Sequence, residues 1–75
     1  MTPHEILALF EDLHRRLAAK MARERAYLDR RAARGTHTPT DEAYEADQIL
    51  EQQLLDLLAQ LQTTARAALA DDQHI

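Results

Sequence analysis

Apolar residues recur through the first half of the chain at Ile6, Phe10, Leu13, Leu17, Met21, Leu28 and Ala32, on one side of a helix. Ile6, Leu17 and Leu28 are eleven apart, as are Phe10, Met21 and Ala32. An eleven-residue repeat predicts a nearly straight helix rather than a strict heptad supercoil. The second half carries a stripe of its own: Ala43, Leu50, Leu54, Leu57, Leu58, Leu61, Ala65, Ala68 and Leu69. At 100° per residue these fall within about 60° of Leu54. Leu7, Leu9 and Tyr27 lie outside the first stripe, and Ile49 and Leu55 outside the second. A lone pair of helices buries one stripe each, so apolar residues left over on both predict further packing.

Local signals fix where the helices start and stop. Thr2-Pro3-His4-Glu5 has a capping threonine, proline at the first helical position and glutamate at the third. Thr38-Pro39-Thr40-Asp41 repeats the device with an aspartate. Between them, Arg30, Arg31 and Arg34 suit the negative end of a helix dipole, and Gly35, the single glycine, suits the left-handed residue that follows. The pattern predicts an all-α, antiparallel two-helix hairpin forming one domain over residues 1–75. Helix 1 is expected over about residues 3–34, the turn over 35–39, helix 2 over about 40–70, and a frayed tail over 71–75.

Below roughly 70–80 residues a single core rarely supplies more than about 3–5 kcal/mol, and oligomerisation is a common remedy. With its surplus apolar residues, this 75-residue hairpin is expected to dimerise into a four-helix bundle. No apolar run approaches the roughly 18 residues of a membrane span, and the first residues lack a basic, then apolar, secretory signal. Without cysteine there is no disulfide framework, so the expected compartment is the cytoplasm, with no membrane partner.

Charge divides the chain sharply. From His14 to Arg34 eight bases face two acids, a balance of +6; from Asp41 to Ile75 one base faces eight acids, a balance of −7. Folding back lays these stretches side by side, so much of the charge is answered internally. Pairing residues whose numbers sum to roughly 75 makes most contacts apolar, except near the turn. There Glu24, Arg31, Asp47 and Glu51 come to one level. Buried carboxylates demand partners. The expected arrangement is a polar layer in which Arg31, helped by Lys20 or Arg25, pairs with Asp47 and Glu24. An alternative is a divalent-metal site formed by Glu24, Asp47 and Glu51, although bundle metal sites usually add a helical Glu-x-x-His. The one such spacing, Glu11 to His14, is not squarely on the core face and lies some 15 Å from Glu24. His4, His37 and His74 are expected to be solvated.

Nothing in the chain points to catalysis. There is no serine or cysteine nucleophile and no glycine-rich phosphate loop, and a hairpin has no deep pocket. The chain is read as a non-enzyme without a cofactor. Its most distinctive surface is a row of Arg16, Arg23, Arg30 and Arg34 beside Tyr27, which is chemistry suited to phosphates and bases. The negative total charge argues against a dedicated nucleic-acid domain.

In shape, a capped hairpin that dimerises resembles the Rop family, whose four-helix bundle binds RNA hairpins. No motif residue aligns, so no functional position is carried over. The Arg34-Gly35 turn and the glutamine- and leucine-rich helix after it are also similar to the short hairpin co-chaperones of type III secretion. The expectation is a protein–protein adaptor, chaperone or small regulator, a homodimer with a protein partner, whose partner-binding candidates are Arg16, Arg23, Tyr27, Arg30, Arg34, Ile49 and Leu55. The alternatives are a Rop-like RNA or DNA binder and a metal-binding bundle.

Overall fold

The computed structural model describes residues 1–72 as two helices, α1 (Pro3–Ala33) and α2 (Pro39–Asp72), packed antiparallel in a rod of 60 × 19 × 15 Å. The signals at the helix ends act locally. The Thr2 hydroxyl accepts from the Glu5 amide at 3.1 Å. At α2 the box closes in both directions: Asp41 N donates to Thr38 Oγ1 at 3.4 Å, and Thr38 N donates to Asp41 Oδ2 at 2.9 Å. After α1, Gly35 takes the left-handed conformation at φ 72°. Its amide bonds Ala32 O, and the Thr36 amide bonds Arg31 O, both at 3.0 Å, which completes a Schellman end. The expected tail shortens, because Asp71 and Asp72 belong to α2; its remainder, including His74, lies outside the described residues.

The seam between the helices departs from the expected stripes. On α1 the seam positions Leu7, Phe10, His14, Leu17, Met21, Glu24, Leu28 and Arg31 are all covered, in alternating steps of three and four. On α2 they include Asp41, Gln48, Glu51, Leu55, Leu58, Gln62, Ala65 and Leu69, with the same phase. This is a heptad seam, not an eleven-residue one. Leu28 is its only buried apolar residue among those described; Asp41, Glu51 and Gln62 are buried elsewhere along the same seam. Ile6, Leu13, Leu50, Leu54, Leu57 and Leu61, all expected inside, are exposed. Hydrophobicity alone misplaces the seam because it cannot foresee that glutamine, glutamate and aspartate there find partners.

Register differs as well. Tyr27 stacks edge-on against Tyr44, Lys20 bonds Glu51, Arg31 bonds Asp41 and Gln62 bonds the Phe10 carbonyl. These numbers sum to 71 or 72 rather than 75, a difference of about one helical turn. The cause is the turn: α1 stops at Ala33 and α2 starts at Pro39, one residue earlier than expected at each end.

Candidate interaction face

The polar groups of the seam come first, since they orient everything outside it. Lys20 Nζ donates to Glu51 Oε2 at 3.0 Å and also to Glu24, tying the two helices together. These bonds, to Glu24 foremost and then Glu51, raise the lysine's pKa. Glu51 Oε1 is buried with no hydrogen-bond partner. Arg31 Nε donates to Asp41 Oδ1 at 2.7 Å, and this bond, before those from Thr38, holds the Asp41 carboxyl below its ordinary range. Two glutamine amides cross to backbone carbonyls of α1: Gln48 to Met21 O at 3.0 Å and Gln62 to Phe10 O at 3.4 Å. A helical carbonyl has a second lone pair for such a bond.

The expected polar layer therefore forms with different members. Arg31 meets Asp41, the capping acid, instead of Asp47, because the turn lies one residue earlier and brings Asp41 opposite it. Arg25 bonds Asp29 on its own helix, and Asp47 is exposed. Glu24 and Glu51 converge on an ammonium group, and among the described residues no three His, Cys, Asp or Glu side chains gather to hold a metal. The metal trio Glu24, Asp47 and Glu51 is not assembled. Glu11 reaches Arg66 at 3.4 Å while His14 sits in the seam, so the Glu-x-x-His spacing does not act as a unit. His4 and His37 are exposed, His37 lying 3.4 Å from Glu42.

One exposed face gathers what remains. Leu13, Arg16, Leu17 and Lys20 of α1 and Leu54, Leu57 and Leu58 of α2 line an open groove of about 470 Å³. Closer to the turn on this face, Arg23, Glu24, Tyr27 and Tyr44 line a notch of about 250 Å³. Heptad spacing extends the apolar end of α1 to Ile6 and Leu9, and its basic end to Arg30 and Arg34. On α2 the exposed Leu50, Leu54, Leu57 and Leu61 follow steps of four and three beside the seam. The face is thus leucine-rich toward the helix ends and basic toward the turn.

The arginine candidates separate by their partners. Arg16 has Asp12 at 3.4 Å, whereas Arg23, Arg30 and Arg34 form no ion pair among the described residues. Tyr27 lies 6.1 Å from Tyr44, ring centre to ring centre, at 73°, and the Arg31 guanidinium carbon sits 5.5 Å from the Tyr27 ring centre. These contacts hold the Tyr27 ring at the notch while leaving it 41% exposed. Leu55 is not a surface residue: seven from both Gln48 and Gln62, it is half-buried in the seam. Ile49 is 67% exposed on the other flank, away from the groove-lining residues.

Sequence reasoning missed Gln48 and Gln62 as seam residues and treated Leu50, Leu54, Leu57 and Leu61 as core. The available signal was that α2 carries two stripes with heptad steps, only one of which can face α1. Compared with known proteins, the chain matches no family model, no curated protein and no solved structure. None of its described helices is long and apolar enough to cross a membrane.

Proposed function

We propose that this chain is a non-enzymatic protein–protein interaction module that completes its core by assembly, with a second copy forming a four-helix bundle. The observation that carries this reading is the exposed leucine stripe beside a polar seam. Leu50, Leu54, Leu57 and Leu61 are between 36% and 57% exposed, on the side where Leu13 and Leu17 border the same groove. A contiguous apolar strip on so small a protein is the mark of an interaction surface. Its closest structural need is another helical face, since only helices present side chains at matching spacing along a rod. Light scattering over about 1–100 µM tests the assembly. A dimer mass that dissociates on dilution is expected; a monomer mass throughout, with a cooperative melt, sinks the reading.

Arg23, Arg30 and Arg34, which form no ion pair among the described residues, favour one second reading, a Rop-like RNA or DNA binder. Three phosphate contacts give a log–log salt slope of about −2 to −3. Absence of binding to an RNA hairpin at low salt removes it.

A further inference from the structure

We infer that the basic half of this face, Arg23, Tyr27, Arg30 and Arg34 with Tyr44 opposite, docks an acidic amphipathic helix of another protein. This deepens the proposed function and rests on it: the leucine half takes the second copy, and the basic half takes the partner. Like charge makes the division. Two copies overlapping fully in the same sense would bring their arginine rows together, whereas opposite-sense overlap of the leucine halves leaves each basic half uncovered.

Three observations select the occupant. Arg23 and Arg30 form no ion pair among the described residues and are seven residues apart, a rise of about 10.5 Å, which equals the spacing of acids repeated once per heptad on a partner helix. Arg16, seven residues before Arg23, extends the row and spends only a 3.4 Å contact on Asp12. Next to the row, the Tyr27–Tyr44 notch of about 250 Å³ has room for an apolar side chain. Apolar notch and arginine row together match a helix with an apolar stripe flanked by acids. A polyphosphate supplies nothing for the notch.

Fluorescence anisotropy tests this with a labelled peptide of about three heptads, leucine at the first and fourth positions and glutamate at the flanking ones. A peptide with lysine in place of glutamate and an RNA hairpin serve as competitors. The glutamate peptide is expected to bind the intact protein, with the lysine peptide and the RNA weaker by about tenfold or more. The double substitution Arg23→Glu/Arg30→Glu should weaken it at least about tenfold, and Arg23→Gln/Arg30→Gln by a smaller factor, with helicity unchanged by circular dichroism. Ile49→Gln, on the opposite flank, should leave binding intact. No binding of the glutamate peptide, equal binding of the lysine peptide, tighter binding of RNA, or indifference to the arginine substitutions would each overturn the inference. Light scattering on the same samples separates it from the assembly reading. A dimer that ignores the peptide defeats the docking alone, and a monomer that binds it through the arginines defeats the assembly alone.

Discussion

Replacing Leu54 and Leu57 together by glutamine separates the leucine stripe's proposed role in assembly from any role in the hairpin. Glutamine keeps a helix propensity close to that of leucine, so the local helix is little affected. The two side chains are 46% and 50% exposed in the hairpin. Burying a leucine fully stabilises by about 1.5–3 kcal/mol, so covering the exposed half of each is worth about 1 kcal/mol. Two residues on each of two copies bring the loss to about 4 kcal/mol, close to a thousandfold in the dimer dissociation constant. The hairpin loses less, because both leucines lie beside the seam and are about half exposed within it. Sedimentation equilibrium measures the constant, and urea denaturation of the dissociated protein measures the hairpin. Ile49→Gln, more exposed at 67% but on the other flank, should change neither. A double variant that dimerises within tenfold of the parent would refute the assignment of these leucines to the interface.

Other substitutions probe the turn and the seam. Gly35→Ala forces a Cβ into φ 72° with nothing within 4 Å to clash, so only backbone strain opposes it; a loss of about 1–2 kcal/mol is expected by urea denaturation, and less for Gly35→Asn. Asp41 has a folded pKa below its unfolded one, so its contribution is complete above the ordinary carboxylate range and is lost as pH falls through the lowered value. Melting temperature at fixed concentration should therefore drop below about pH 4, and this drop should shrink in Asp41→Asn. Glu51→Leu removes the buried oxygen without a partner and leaves Lys20 its bond to Glu24; a melting temperature higher by about 4–8 °C is expected, and a fall would show that Lys20–Glu51 is worth more than the orphaned oxygen costs.

What could be read from sequence was local chemistry. Thr2-Pro3, Arg34-Gly35 and Thr38-Pro39-Thr40-Asp41 act on their own backbone within a few residues, so the two helices and the turn fall within one or two residues of expectation. The seam depends on which of two stripes meets the other helix, and no single-helix pattern states that. Phe10, Leu17, Met21, Leu28 and Leu58 belong to the seam under either choice. Leu55 enters it between Gln48 and Gln62, one heptad away on each side, which cross to α1 carbonyls. The arginine row was legible because it needs only spacing along one helix. Which arginines are spent internally was not, since Asp41 reaches Arg31 through the geometry of the turn.

Polar seam and apolar face divide two tasks that a larger protein combines in one core. Ion pairs and buried amides contribute little net stability, because desolvation offsets most of what the contact gains. They discriminate strongly between registers, however. Slipping α2 by one heptad would part Arg31 from Asp41 and Lys20 from Glu51, leaving buried charge unanswered. The seam thus selects a single hairpin without stabilising it much, with Leu28 as its lone buried apolar side chain among the described residues. On the proposed assembly, the missing stability resides in the leucine face and arrives only when a second chain covers it. Folding and association are then coupled, and the melting temperature must rise with protein concentration. A melting temperature independent of concentration over about a hundredfold range would mean that the polar seam is sufficient by itself, and that the leucine face serves a partner other than a second copy.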